Sequence, residues 1–198
     1  MITFVRHGQT AINRDGRLQG RLDARLSDTG VAQAGALAAG LEHDPVIRVV
    51  SSPLLRARET AAAIAAAHGL EVETDERLIE LDYGEWDGVP LRLVPPEDWA
   101  KWRADATFAP PGGESLVEVQ DRVASFCADF VNGSETVIVA VSHVSPIKAA
   151  VCVALGRDPL LTWRMQLSLA SITRIGGRPD GTPFLLTYNE VAHLTSLA

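Results

Sequence analysis

Two histidines follow apolar runs that are typical of buried strands. His7 comes just after the run at residues 2–5, and His143 comes just after the run at residues 136–141. Continuous apolar runs of this length predict strands that are covered on both faces. In open α/β sheets, ligands bind at the carboxyl ends of such strands. We therefore expect both imidazoles to face one crevice.

Three charged side chains are expected at the same end of the sheet. Arg6 precedes His7, Arg56 lies early in the helix after the second predicted strand, and Glu80 comes shortly after the third. Two arginines beside two histidines predict a cationic pocket, and the planar fork of an arginine matches the oxygens of a phosphate group. The topology thus predicts a phosphate site.

The residue types in this pocket are suited to phosphoryl transfer. Neutral imidazole is a nucleophile, and its attack on phosphorus makes a phosphohistidine; we expect His7 to take this role. A protonated His143, Asn13 and the backbone N–H groups after His143 can stabilise charge on the phosphoryl oxygens. Glu80 can protonate the leaving alkoxide and then accept a proton from water. This chemistry needs neither a metal ion nor another cofactor.

Two other functions are compatible with the same residues. His7, His143 and Glu80 have the donor types of a metal site, but Arg6 and Arg56 would repel a cation. A phosphate-binding scaffold without catalysis is the second, although every group that the chemistry needs is present.

The order of elements predicts an α/β fold: a mostly parallel sheet flanked by helices, as a three-layer sandwich. Strands are predicted at residues 2–5, 46–50, 70–74, 136–141, 171–175 and 183–188, and residues 9–26 are predicted to be a loop. Helices are predicted to begin at Ser27, at Ser52 with Pro53 in the first position, at the capping box of Ser115 and Glu118, and at Pro146. Val31, Ala34, Leu37, Ala38 and Leu41 are predicted to share the buried face of the first helix, and Lys148 to lie on the surface of the last.

The chain is expected to form a single domain over residues 1–198. Residues 81–115 are irregular, with Gly84, Gly88 and Pro95-Pro96 as breaks. We expect this segment to be an insertion that caps the active site and sets the choice of substrate.

Composition limits the partners and the location. The formal net charge of −7 disfavours binding to nucleic acid or to anionic membranes. No signal peptide or membrane-spanning run is visible. Cys127 and Cys152 lie among apolar residues and form neither a disulfide framework nor a zinc spacing. A cytoplasmic enzyme that takes a small phosphate monoester is therefore expected, and its oligomeric state stays open.

Several blocks of this sequence match a known family in order. They are Arg6-His7-Gly8-Gln9-Thr10 with Asn13, Arg17-Leu18-Gln19-Gly20 with Asp23, residues 51–61, residues 78–88, residues 111–115, and Val141-Ser142-His143. Together they resemble the histidine phosphatase superfamily, which includes the cofactor-dependent phosphoglycerate mutases. The resemblance implies a phosphoglycerate mutase-like fold. It also implies His7 as the phosphorylated residue, Glu80 as proton donor, a phosphate pocket of Arg6, Asn13, Arg56 and His143, and Gln19 and Gly20 near the substrate.

One position departs from the family pattern. Many members have glycine after the second histidine, where this chain has Val144. The N–H of Val144 can still bind phosphate, and the variant resembles the acid phosphatase and α-ribazole phosphatase branch. The family's mutases carry a longer segment between the donor glutamate and the second histidine. The shorter interval from Glu80 to His143 in this chain therefore favours water as the acceptor over mutase-type transfer. Sugar phosphates, phosphoglycerate derivatives, nucleotides and α-ribazole phosphate all stay open as substrates.

Overall fold

A computed structural model describes residues 1–130 and 136–197. The strands are β1 (Ile2–Arg6), β2 (Val46–Ser51), β3 (Val72–Thr74), β4 (Val137–Ser142), β5 (Ile172–Gly177) and β6 (Pro183–Glu190). Within these residues they form one sheet in the order β3-β2-β4-β1-β5-β6. The first four pair in parallel, and β5 and β6 add an antiparallel edge. The predicted mostly parallel sheet is confirmed.

Helices cover both faces of this sheet. They are α1 (Ala11–Arg14), α2 (Asp28–Leu41), α3 (Leu55–His68), α4 (Pro96–Ala104), α5 (Leu116–Phe130) and α6 (Val144–Leu155). Short 3₁₀ helices lie at Glu76–Leu78, Gly84–Trp86, Leu91–Leu93, Pro159–Arg164 and Ala192–Leu197.

Alternation along the strands produces two separate cores. Ile2 and Phe4 pack into the core under α5 and α6, whereas Val5 packs into the core under α2 and α3. Successive side chains of a strand point to opposite faces, so a strand that is apolar throughout must be covered on both sides. The α/β three-layer arrangement is therefore confirmed.

Two predicted helix starts are confirmed by their caps. The Ser27 hydroxyl accepts a hydrogen bond from the N–H of Gly30 at 3.1 Å. At α5, the Ser115 hydroxyl accepts from the N–H of Glu118 at 3.3 Å, and the Glu118 carboxylate accepts from the N–H of Ser115 at 2.8 Å. These bonds satisfy donors that a helix leaves unpaired in its first turn.

The predicted start of α3 is wrong. The helix begins at Leu55, and neither Ser52 nor Pro53 belongs to it. The Ser52 hydroxyl lies instead 2.7 Å from Nε2 of His143. A carboxylate oxygen of Asp23 accepts from the N–H of Leu55 at 2.6 Å and so caps the helix from a distant loop.

Three local predictions also need correction. Val31 is 60% exposed. The first turn of α2 packs on the backbone of Gln9 through Gly30, where a Cβ would stand 2.1 Å from the Gln9 carbonyl oxygen, and this contact leaves the next residue, Val31, outside the buried face. The third strand is limited to Val72–Thr74 because it is a largely exposed edge. Residues 9–26, predicted as a loop, contain the single turn α1, since Thr10 and Asn13 form a capping box.

Residues 81–115 pack onto the core of α5 and α6. Trp86, Val94 and Trp102 are buried in the same cluster as Leu116. The ring centroids of Trp102 and Trp163 lie 4.9 Å apart, so the segment also contacts the 3₁₀ turn that follows α6.

The two cysteines are buried free thiols, as the sequence predicts. Burial raises the pKa of Cys127 to about 12 and that of Cys152 to about 11, so both stay protonated at neutral pH. In the part of the chain that the structure describes, no helix has the length and apolar character that crossing a bilayer requires.

Candidate active site

His7 lies immediately beyond β1, and its imidazole is 3% exposed. Nδ1 is 2.7 Å from the carbonyl oxygen of Gly8. A carbonyl oxygen can only accept, so Nδ1 carries the proton and Nε2 presents its lone pair. Gly8 must be glycine to hold this place, because a Cβ there would stand 2.5 Å from the carbonyl oxygen of Gly30. The backbone thus orients His7 as a nucleophile through Nε2.

Arg56 is fully buried and contacts that lone pair. Its Nε donates to Nε2 of His7 at 3.2 Å. Its two terminal nitrogens donate to the carbonyl oxygens of Leu22 at 2.9 Å and Gly20 at 2.7 Å. The guanidinium is therefore held on three sides, with one edge against the nucleophile.

The loop that holds Arg56 is itself fixed by one carboxylate. Asp87 accepts three backbone hydrogen bonds, from Gly20 at 2.8 Å and from Arg21 and Leu22 at 2.9 Å each. An ionised carboxylate is well suited to a concave set of N–H donors. Asp87 thus fixes the two carbonyl groups that orient Arg56.

His143 lies beyond β4 and is fully buried against His7, with ring centroids 5.0 Å apart. Nε2 is within hydrogen-bonding distance of the Ser52 hydroxyl, at 2.7 Å. Nδ1 has no hydrogen-bond partner among the described residues. One nitrogen of this ring is therefore held in place, and the other is available to a ligand.

The surroundings of both imidazoles disfavour the protonated, positively charged form of the ring. Burial, followed by the charges of Arg56 and Arg6, lowers the pKa of His7 well below its ordinary value of 6.5. Burial and Arg56 lower the pKa of His143 in the same way. His7 is therefore in its nucleophilic form at neutral pH, and His143, expected from the sequence to act when protonated, is neutral in the free protein.

The carboxylate of Glu80 contacts the amino end of α6. One carboxylate oxygen accepts from the N–H of Leu81 at 2.8 Å and of Ser145 at 3.2 Å, and the other accepts from the N–H of Val144 at 3.1 Å. A helix N-terminus is a ready anion site. The sequence predicts that the N–H of Val144 binds phosphate. In this structure it donates to the Glu80 carboxylate instead.

Three further predicted residues contribute polar groups nearby. Arg6 donates to the carbonyl oxygen of Leu167 at 2.6 Å, and burial lowers its pKa to about 10, so it remains charged at neutral pH. Asn13 Oδ1 accepts from the N–H of Thr10 at 3.1 Å, and its amide nitrogen donates to no residue in the described part of the chain. Gln19 accepts from the Thr10 hydroxyl at 2.6 Å, and its Nε2 has no acceptor within residues 1–130 and 136–197.

The structure brings most of the predicted residues together. His7 contacts both Arg56 and His143, and Gly20 binds Arg56 through its carbonyl. Glu80 and Val144 join them through the amino end of α6. Asn13 and Gln19 meet at Thr10 on the loop that follows His7. Over the described residues, no three side chains of His, Cys, Asp or Glu gather as metal ligands.

Comparison with known proteins decides the family. A family model for the histidine phosphatase superfamily (branch 1) matches residues 2–190. The chain belongs to this superfamily. Phosphoserine phosphatase 1 of Hydrogenobacter thermophilus is 38% identical to this chain over 199 residues, which cover 98% of this chain and 93% of the other.

Two mycobacterial proteins extend the comparison. A solved structure of a mycobacterial glucosyl-3-phosphoglycerate phosphatase with VO3 has a TM-score of 0.88 at 32% identity, over 96% of this chain and 99% of that chain. This match confirms the phosphoglycerate mutase-like fold. A bifunctional protein of Mycobacterium tuberculosis is 35% identical to this chain over 198 residues, or 98% of this chain. This chain spans only about half of that relative, 54% of its length.

The sequence does not predict three residues that the fold places at or beside the site. The sequence predicts a helix cap at Ser52 and indicates no role for Asp87. An aspartate inside the glycine-rich turn at residues 84–88 is a residue type that often accepts backbone N–H groups, and this signal could have identified Asp87. Lys148 was predicted on a helix surface. That prediction is wrong, because Lys148 is half-buried and lines a cavity with Val144, Thr162 and Trp163.

Proposed function

We propose that this protein hydrolyses small phosphate monoesters through a phosphohistidine on His7. The observation that carries the proposal is the fixed tautomer of His7. Its Nδ1–H is held by the carbonyl group of Gly8, and its Nε2 lone pair meets Arg56 at 3.2 Å. Names of relatives that act on phosphoserine and on glucosyl-3-phosphoglycerate support a phosphate monoester as the substrate class.

In the first step, Nε2 of His7 attacks phosphorus and the bond to the ester oxygen breaks. Protonated Glu80 gives its proton to the leaving oxygen, so that an alcohol departs. Arg56 then donates its Nε–H to a phosphoryl oxygen instead of to His7. Arg6 and His143 stabilise the negative charge of the same phosphoryl group. In the second step, water attacks the phosphohistidine while Glu80 accepts its proton. Inorganic phosphate leaves and His7 is restored.

Glu80 changes partners during this cycle. In the free protein its carboxylate accepts hydrogen bonds from the N–H groups at the amino end of α6. Movement of Glu80 toward the leaving oxygen would release these donors to the phosphoryl group, which carries the greater negative charge. We propose that Val144, Asn13, Gln19 and Gly20 bind the substrate in this state.

The rest of the proposal concerns the chain as a whole. It comprises a single domain in which residues 81–115 cover the site, a metal-independent reaction of the acid phosphatase type, and a cytoplasmic location. Arg6 and Arg56 support metal independence because they carry positive charge beside both histidines. The two free thiols support a reducing compartment.

The first test replaces the nucleophile. We expect His7→Ala to lower kcat/KM for 4-nitrophenyl phosphate by at least about 10³-fold, since the covalent route needs the imidazole. His43→Ala is the matched control, because His43 is an exposed histidine in the turn after α2. Full activity in His7→Ala would contradict the proposal.

Two arms of the same assay address the alternatives. Activity that is lost to a chelator and restored by a transition metal would favour the metal enzyme. Conversion of 3-phosphoglycerate into 2-phosphoglycerate without release of phosphate would favour the mutase.

A further inference from the structure

The loop at residues 167–171, just before β5, holds the end of the strand that carries Arg6 and His7. The guanidinium of Arg6 donates to the carbonyl oxygen of Leu167 at 2.6 Å. The N–H of Ala170 donates to the carbonyl oxygen of His7 at 3.2 Å. This loop therefore binds both a cation of the phosphate pocket and the backbone of the nucleophile.

Asn189, near the end of β6, binds the same peptide group as Arg6. Its Oδ1 accepts from the N–H of Ser168 at 2.7 Å, and this N–H belongs to the peptide whose carbonyl group is that of Leu167. The peptide is planar and trans, so its N–H and C=O point in opposite directions, and fixing one fixes the other. Hydrogen bonds at the two ends of one peptide also polarise and strengthen each other. Asn189 thus orients the carbonyl group that holds the Arg6 guanidinium.

His193 binds the same loop at a second point. Its Nε2 lies 2.9 Å from the carbonyl oxygen of Ala170, and because a carbonyl oxygen can only accept, Nε2 carries the proton. Ala170 has a φ of 52°, in the left-handed region that a residue with a Cβ rarely adopts. Such a conformation persists only where the surrounding contacts enforce it, and His193 supplies one of these contacts.

A β-bulge directs Asn189 toward the loop. The register between β5 and β6 shifts here, so that Tyr188 and Asn189 both stand opposite Thr173. Asn189 has a φ of 57° and donates its N–H to the Thr173 hydroxyl at 3.2 Å. Bulges of this kind re-aim side chains next to active sites. Outside glycine, Ala170 and Asn189 are the two residues with a positive φ in the described part of the chain, so this backbone strain is concentrated where β6 meets the loop.

We propose that Asn189 and His193 are positioning residues of the phosphate pocket, which act on Arg6 and His7 through the loop at residues 167–171. The inference rests on the phosphate pocket of the proposed function and adds the end of the chain to it. Without Asn189, the carbonyl group that holds Arg6 can turn away, and the guanidinium loses its fixed direction. Without His193, the strained turn that binds the backbone of His7 loses one of its supports.

The affinity for inorganic phosphate tests the inference without requiring turnover. Asn189→Gly removes the side-chain acceptor and still accommodates the positive φ, so we expect the Kd for phosphate to rise about tenfold, as for loss of one hydrogen bond to the pocket. Thr187→Val is the matched control in the same strand. The Thr187 hydroxyl has no hydrogen-bond partner in the described residues, and its removal should leave the Kd unchanged.

A double-mutant cycle with Arg6→Gln separates positioning from a general loss of stability. Arg6→Gln should itself weaken phosphate binding. Adding Asn189→Gly should then raise the Kd by no more than about twofold, since the group that Asn189 positions is already gone. A residue that only stabilises the fold would give the same loss in both backgrounds.

His193 offers a second pair of variants, which applies even if Asn189→Gly fails to fold. His193→Gln keeps an N–H donor in place of Nε2 and should retain most of the affinity for phosphate. His193→Leu removes the donor and should raise the Kd by about threefold or more.

The results that would overturn the inference are distinct from those that would overturn the proposed function. A Kd that Asn189→Gly leaves unchanged, or raises equally with and without Arg6, removes the role of Asn189. Equal affinities in His193→Gln and His193→Leu remove the role of His193. In both cases the hydrolysis of 4-nitrophenyl phosphate through His7 stands. A protein that binds phosphate but hydrolyses no ester would lose the proposed function, while the same variants would still test the positioning of Arg6.

Discussion

The imidazole of His7 is buried beside two guanidinium groups, and these surroundings set the pH range in which it can react. The neutral ring is the nucleophile, and burial together with Arg56 and Arg6 lowers its pKa well below 6.5. As pH falls below 6.5, His7 therefore stays neutral until the pH reaches the lowered pKa. Protonation then removes the lone pair that attacks phosphorus.

We expect an NMR titration of the His7 ring in the free protein to give a pKa well below 6.5. Arg56→Gln removes the cation that contacts the ring and should move this pKa upward. Arg58→Gln is the control, because Arg58 is an exposed residue of the same helix. A pKa at or above 6.5, or one that does not respond to Arg56→Gln, would show that the charge of Arg56 does not set the state of the nucleophile.

Glu80 is assigned as the proton donor, and this role depends on the leaving group. An alkoxide needs protonation as it departs, whereas 4-nitrophenolate is stable without it. Glu80→Gln should therefore lower kcat/KM for glycerol 3-phosphate by about 10²-fold or more and affect 4-nitrophenyl phosphate much less. Glu85→Gln, an exposed neighbour in the same segment, serves as the control. Equal losses for both esters would argue that Glu80 is not the proton donor.

The loop at residues 20–22 connects the segment after β3 to the reacting centre. Asp87 binds three N–H groups of this loop, and two of the loop's carbonyl groups bind Arg56. Asp87 touches no reacting atom in this arrangement. We propose it as a positioning residue that acts through Arg56.

Asp87→Asn should lower kcat/KM by about tenfold, because the loop loses a charged acceptor and Arg56 loses its fixed orientation. A double-mutant cycle separates this from general destabilisation. Added to Arg56→Gln, Asp87→Asn should cost little further activity, since the residue through which it acts is already gone. Asp15→Asn, at an exposed site, is the control. Additive losses would contradict a path through Arg56.

The layered fold and the set of converging residues could be predicted because both follow from local patterns. Each buried strand is a continuous apolar run, and parallel strands bring their carboxyl ends to one edge. That reasoning correctly placed His7 and His143 together. The capping signals at Ser27 and Ser115 are equally local, so the starts of α2 and α5 were predictable.

Other features depend on partners that are distant in the chain. The Ser52 hydroxyl faces His143, and the α3 start is capped instead by Asp23; no local spacing shows either contact. Lys148 has the sequence context of a surface residue, yet it is half-buried in a cavity that Thr162 and Trp163 also line. Long-range contacts of this kind override local propensity, and such departures from local sequence rules are expected at functional sites.

Direct detection of the phosphohistidine tests the proposed reaction most sharply. The protein is mixed with 4-nitrophenyl phosphate, quenched in alkali within the first turnover, digested, and examined by mass spectrometry. We expect one phosphoryl group on His7 that is lost on brief exposure to acid, and no such adduct in His7→Ala. Phosphate release with no adduct at any quench time, or an adduct on another residue that persists in His7→Ala, would contradict the mechanism.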